Sequence, residues 1–266
     1  MSTHQQRLDR ARWALEGMSV GDAFGERLFH HPEVVARLAA LGPDRDLRLH
    51  RLVGYSLPPP PWPWTDDTLM TLSVFSVLRQ CGGVDQDRLA HSFARRYDPT
   101  LGYGPAMHRL LARLQAGEDW RGAARELFGG WGSFGNGAGL RVAPIGAYFA
   151  DDLAALVHHA HGAAMITHTH PEAGAGAIAA ALAVAWAWRL RPPGPAPSRA
   201  AFLDRILPLV PASEVRDRLE QARDLPPGTS VLAAAAALGN GSRMTVQDTV
   251  PFSLWCAAEH LADYEA

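Results

Sequence analysis

An all-α fold, folded as a single compact multi-helix bundle, is what this sequence predicts, and three observations carry that reading. Apolar residues recur at helical spacing through most of the chain, few segments alternate as strands do, and proline- or glycine-rich stretches separate the periodic segments. The composition suits such a core: 47% of the 266 residues are hydrophobic and 20% charged, which excludes a wholly disordered or fibrous chain. Length alone allows one large domain or two small ones, and the run is read as one domain over 1–266.

The elements follow in order. Periodicity and end signals predict helices near 5–18, 33–41, 67–80, 85–97, 104–116, 119–127, 152–166, 172–190, 199–207, 212–223, 229–238 and 249–262. Leu69, Leu72, Phe75 and Val77 give the third helix an expected core face, and Leu110, Leu111 and Leu114 do so for the fifth. Leu57–Pro63, with its four-proline run, Phe128–Gly139 and Arg191–Pro197 are expected to be loops. Ala173–Trp188 is apolar but built mainly of Ala and Gly and short for a membrane span, so it reads as a central helix that neighbours approach closely.

Charge and cysteine usage narrow the function classes. A formal net charge of -2 offers no footprint for nucleic acid or an anionic membrane. Cys81 and Cys256 lie far apart with no metal-ligand spacing, and Met1–Arg10 lacks an apolar leader, so a cytoplasmic location is expected.

Three segments carry chemistry. In Trp64-Thr65-Asp66-Asp67-Thr68, Thr65 is a natural N-cap and the two carboxylates suit the first helical turn, so capping alone explains them. The same hydroxyl and carboxylates are hard oxygen ligands suited to Mg²⁺, which needs more ligands than two carboxylates supply. Gly17-Met18-Ser19-Val20-Gly21-Asp22-Ala23-Phe24-Gly25 reads as a glycine turn ending the first helix, with Asp22 capping local backbone or touching substrate and Glu26 just beyond. Phe134-Gly135-Asn136-Gly137-Ala138-Gly139-Leu140-Arg141-Val142-Ala143-Pro144-Ile145-Gly146 is either an ordinary turn or a ligand loop with exposed amides, a stacking ring and a two-way amide side chain. In Thr167-His168-Thr169-His170-Pro171-Glu172, Thr169 or His170 ends the preceding segment, while Pro171 suits the first turn of the next helix and Glu172 its N-terminal dipole. The histidines here and at 158, 159 and 161 match no strong zinc spacing.

Taken in order, Gly-Met-Ser-Val-Gly-Asp-Ala-Phe-Gly, Trp-Thr-Asp-Asp-Thr-Leu-Met, Gly-Asn-Gly-Ala-Gly-Leu-Arg-Val-Ala-Pro-Ile-Gly and Thr-His-Thr-His-Pro-Glu-Ala resemble the ADP-ribosylglycohydrolase series. Gln247-Asp248-Thr249-Val250-Pro251-Phe252 is similar to a segment of one branch of that family. The resemblance runs from Gly17 to about Trp255 and implies an orthogonal helical bundle with a dinuclear Mg²⁺ site in a cleft. It implies Thr65, Asp66 and Asp67 as metal ligands, Asp66 or Asp67 as the catalytic carboxylate, and Phe134, Gly135, Asn136, Gly137, His168 and Glu26 as residues facing ADP-ribose.

The implied activity is Mg-dependent hydrolysis of the glycosidic bond joining ADP-ribose to a modified protein or a related conjugate, with water attacking the anomeric carbon through an oxocarbenium-like transition state. The family's late Gly-Asp-x-Asp-Thr motif is absent before Ala266, so half of the expected metal cage is missing. That leaves two alternatives open: a single or weakly bound ion in place of two, and an inactive or C-terminally truncated ADP-ribose-binding module in place of an enzyme. Asp248 reads as an N-cap of the last helix.

Overall fold

The computed structural model describes residues 2–30, 61–191 and 193–263, with no side-chain description for 27–30. The described residues are mostly helical, as the periodicity predicts. The expected helix over 33–41 lies outside the described residues. The α-helices are α1 (His4–His30), α2 (Asp66–Cys81), α3 (Gln86–Arg96), α4 (Pro105–Gln115), α5 (Trp120–Arg125), α6 (Gly137–Leu140), α7 (Ala143–Tyr148), α8 (Leu153–Met165), α9 (Pro171–Arg189), α10 (Arg199–Ile206), α11 (Glu214–Asp224), α12 (Val231–Leu238) and α13 (Val246–Glu259). Among the described residues the one β-type pairing outside helices is an isolated antiparallel bridge, Gly135 with Thr245.

Helix α9 is the hub, packing on α6, α7, α8 and α13. Its small side chains permit this. A Cβ on Gly176 would lie 2.0 Å from Val246 Cγ2 of α13, and one on Gly146 of α7 would lie 2.2 Å from the carbonyl oxygen of Ala181. Neither backbone could come so near an alanine. The N-terminus of α9 is capped by His170, which accepts from the Glu172 N–H, while the Glu172 carboxylate accepts from the Glu214 and Val215 N–H groups and so caps α11. No described helix is long and apolar enough to cross a membrane.

Three expectations are corrected. The glycines at 17, 21 and 25 do not end the first helix, because α1 runs through them to His30, packed on α2 and α7. Phe128–Gly139 is not wholly loop: Leu127–Gly130 forms a 3-10 turn, with Phe128 at φ 54, and α6 begins at Gly137. The core face of α2 is rotated from the expected one. Val77 is buried, but Leu69, Leu72 and Phe75 are only half-buried, and Thr68, Met70, Thr71, Ser73, Val74 and Leu78 fill the interior instead. The polar members are admitted because each hydroxyl finds an acceptor: Thr68 donates to Asp22, Thr71 to the Asp67 carbonyl and Ser73 to the Leu69 carbonyl. Leu110, Leu111 and Leu114 are buried as expected.

Candidate active site

Residues 64–68 fold as their capping chemistry requires. Thr65 is the N-cap of α2, extended at φ -105 and ψ -168, and its hydroxyl accepts from the Asp67 N–H at 3.2 Å. The cap is itself held from α1. Asp22 accepts from the Thr65 N–H at 2.8 Å, from the Thr65 hydroxyl at 2.8 Å and from the Thr68 hydroxyl at 2.6 Å. Asp22 therefore neither caps its own helix nor stands free; it ties α1 to the start of α2.

This arrangement crowds carboxylates. Burial first, then Asp22 and Glu26, push the Asp66 carboxyl up to about 6, against its own backbone hydrogen bond and the charge of His108. Burial, followed by repulsion from Asp66 and Asp22, pushes Asp67 up to about 8, with Arg141 opposing and Glu26 adding to the rise. Glu26 thus belongs to the field of the cluster. The turn before α4 closes another side: a Cβ on Gly102 would lie 3.6 Å from Asp66 Oδ1. Next to Gly102, the buried Tyr103 phenol is pushed up by burial and by Asp66.

The glycine segment and the histidine segment meet. His168 is 4% exposed, and a Cβ on Gly135 would lie 3.0 Å from its Nε2. The His170 N–H donates to the Ser133 carbonyl, and the Phe134 ring stands edge-on to His170 with centroids 5.1 Å apart. Phe134 stays 38% exposed, so one face remains available for stacking. On the other side the loop is zipped to the last helix: Asn136 N–H donates to Met244 O, Val246 N–H donates to Phe134 O, and Asn136 Nδ2 donates to Thr249 Oγ1 at 3.2 Å. The Asn136 side-chain oxygen is left without a described partner.

Asp248 is not the N-cap of α13. Thr245 occupies that position, and buried Asp248 stands inside the first turn, where its carboxylate accepts from the Arg243 N–H at 3.0 Å. Gly239, at φ 101, lies so close that a Cβ there would be 2.5 Å from Asp248 Oδ1. The carboxylate's work is to close the loop preceding α13.

Arg141 joins the two halves. It is fully buried, its guanidinium lies 4.8 Å from the centroid of Phe93, and Nη2 donates to Ala163 O at 2.9 Å and to Thr167 Oγ1 at 2.6 Å. Burial lowers it to about 10, and the charge of Asp67 opposes that fall. Thr167 Oγ1 is in turn 2.7 Å from His168 Nδ1. One buried cation therefore faces the carboxylates electrostatically and the histidine through a hydroxyl. Sequence reading missed the roles of Asp22, Thr68, Arg141 and Thr167. An arginine inside an otherwise small and apolar run, Gly137–Gly146, was the signal available for Arg141.

A sequence model described as ADP-ribosylglycohydrolase matches residues 3–266. An ADP-ribosylhydrolase ARH3 of Xenopus tropicalis is 32% identical over 168 residues, which is 60% of this chain and 45% of that protein. The Homo sapiens ADP-ribosylhydrolase ARH3 is 31% identical over 151 residues, covering 52% of this chain and 39% of that protein. The matched stretch thus spans less than half the length of these curated relatives. Among solved structures, one described as an ADP-ribosylglycohydrolase-related protein complex aligns with a TM-score of 0.55 at 25% identity, over 98% of this chain and 88% of that one. With the family model matching from residue 3 to residue 266, the chain belongs to the ADP-ribosylglycohydrolase family.

Proposed function

We propose that this chain is a Mg²⁺-dependent hydrolase that cleaves the glycosidic bond between ADP-ribose and a modified protein or related conjugate, acting as one domain over 1–266. The observation that carries the reading is the Asp66–Asp67 carboxylate pair linked through Arg141 to a glycine loop underlaid by His168. Similarity to proteins named ADP-ribosylhydrolase supports the substrate class.

The donor set fits Mg²⁺ on one side. Asp66 and Asp67 offer hard oxygens, and their raised proton affinities reflect crowded negative charge that a divalent cation would offset. Thr65 Oγ1 donates to Asp22 and accepts from Asp67, which leaves one lone pair for an ion. Asp22 is engaged by three donors, so it holds the ligand-bearing turn. Among the described residues no group of three or more His, Cys, Asp or Glu is arranged to enclose an ion. Water, ribose hydroxyls or further acidic groups would complete the shell, with two ions in a complete site. When bound, Mg²⁺ would polarise ribose oxygens and stabilise negative charge.

The chain's own residues would do the rest. Asp66 or Asp67 orients a water and takes its proton as the water oxygen bonds to the anomeric carbon; the bond from that carbon to the conjugate's nitrogen or oxygen breaks, the leaving atom takes a proton from water, and the charge of the other carboxylate stabilises the oxocarbenium-like transition state. Phe134 stacks on the ligand, the Gly137 amide and the side-chain oxygen of Asn136 meet its polar atoms, Gly135 lets the chain pass close over His168 while its own N–H donates to Ser133 Oγ, and Glu26 adds negative charge at the cluster edge.

A second reading, an ADP-ribose-binding module without turnover, draws on the absence of an enclosing cluster among the described residues. Incubating the purified chain with N- and O-linked ADP-ribosylated protein in excess Mg²⁺ separates the two. Released ADP-ribose supports the hydrolase, whereas calorimetric binding of ADP-ribose without release supports the module.

A further inference from the structure

We infer that Arg141 and Thr167 are positioning residues that hold the neutral His168 ring in the tautomer with its proton on Nε2, so that His168 serves the cleft as a hydrogen-bond donor. The identity of the acceptor as ADP-ribose rests on the reading above; the tautomer does not.

The order of donors follows from the groups themselves. A guanidinium can only donate, so Arg141 Nη2 gives a proton to Thr167 Oγ1 at 2.6 Å. The hydroxyl has one proton of its own, and its other described partner is His168 Nδ1 at 2.7 Å. If Nδ1 carried a hydrogen, two donors would converge on Oγ1, and the hydroxyl proton of fully buried Thr167 would have no described acceptor. The hydroxyl therefore donates to Nδ1, and a neutral ring then carries its hydrogen on Nε2. Arg141 cannot easily turn away, because it is fully buried between the Phe93 ring and the Ala163 carbonyl, with Nη1 3.8 Å from Met70 Sδ. Burial and the Arg141 charge also hold the imidazole down to about 3, consistent with a ring that stays neutral.

Nε2 has no protein partner among the described residues, and it is not one of the fully enclosed unpaired atoms. Two glycines make room above it: a Cβ would lie 3.0 Å from Nε2 at Gly135 and 3.8 Å at Gly137. A nearly buried N–H facing such a gap calls for an acceptor from the ligand, a phosphate or hydroxyl oxygen. It also follows that His168 has no lone pair to offer at Nε2, so it is neither a general base nor a zinc ligand there.

Long-range ¹H–¹⁵N spectra of histidine-labelled protein at pH 7 test this, with ADP-ribose calorimetry beside them. The wild-type His168 should show a protonated Nε2 and an unprotonated Nδ1. Thr167→Val should lose that pattern and weaken ADP-ribose binding roughly tenfold, the loss of one good hydrogen bond, while Thr167→Ser restores both. A wild-type ring protonated at Nδ1, or an unchanged pattern in folded Thr167→Val, overturns the positioning role. A changed tautomer with unchanged affinity overturns the donor role. A wild-type protein with the expected spectrum but no ADP-ribose binding supports the positioning role and counts against the ADP-ribose reading. The wild-type spectrum decides the tautomer even where Thr167→Val fails to fold.

Discussion

Asp22 and Thr65 are joined twice, Asp22 Oδ2 accepting from the Thr65 N–H and Oδ1 from its hydroxyl, each at 2.8 Å. The candidate metal ligands Asp66 and Asp67 therefore stand on a turn whose position is set by a carboxylate of α1. Asp22→Ala would strand the Thr65 amide and the buried Thr68 hydroxyl, so we expect a loss of about 1–3 kcal/mol in denaturant unfolding. A change below about 0.5 kcal/mol, the scale of an uninvolved surface substitution, would contradict this role.

Asp66 and Asp67 make stability depend on pH. Their folded-state proton affinities are raised, to about 6 and about 8, above the ordinary carboxylate value of 3.8. Stability contributed by the protonated forms is thus fully present below about pH 4 and is lost as pH rises through 6 and then 8. Without divalent cations the melting temperature should fall between about pH 4 and pH 8 and level off above that range, and Asp67→Asn should flatten most of the fall. Mg²⁺ competes with those protons, so it should raise the melting temperature more at pH 9 than at pH 6. Equal Mg²⁺ shifts at the two pH values would speak against carboxylate ligation.

Two glycines predict opposite outcomes. Gly176→Ala would drive a Cβ to 2.0 Å from Val246 Cγ2 and force α9 from α13, costing about 1–3 kcal/mol. Gly21→Ala meets nothing within 4 Å inside continuous helix α1 and should stabilise by roughly 0.5–1 kcal/mol. Destabilisation by Gly21→Ala would mean that a turn, and not a helix, occupies that position.

The helices were legible because their signals are local. Thr65 followed by two acidic residues, or Pro171 followed by Glu172, announces a helix start within a few residues. The errors arose where a long-range partner changed the meaning of a residue. Gly17, Gly21 and Gly25 read as a turn until α2 and α7 are seen packed along α1. Leu69, Leu72 and Phe75 read as the core face of α2 until Asp22 and the Asp67 carbonyl supply the acceptors that let Thr68 and Thr71 turn inside. Arg141 carried no readable role, since its partners Thr167 and Asp67 lie 26 and 74 positions away in sequence and only the fold brings them under one influence.

The central claim is tested most directly by timing ADP-ribose release from ADP-ribosylated protein across a Mg²⁺ titration, with the wild-type chain and Asp67→Asn side by side. The account predicts release that saturates with Mg²⁺, vanishes on chelation, and falls at least about a hundredfold in Asp67→Asn, the scale of losing a catalytic proton acceptor. Equal release with and without Mg²⁺, or a folded Asp67→Asn as active as the wild type, would contradict it.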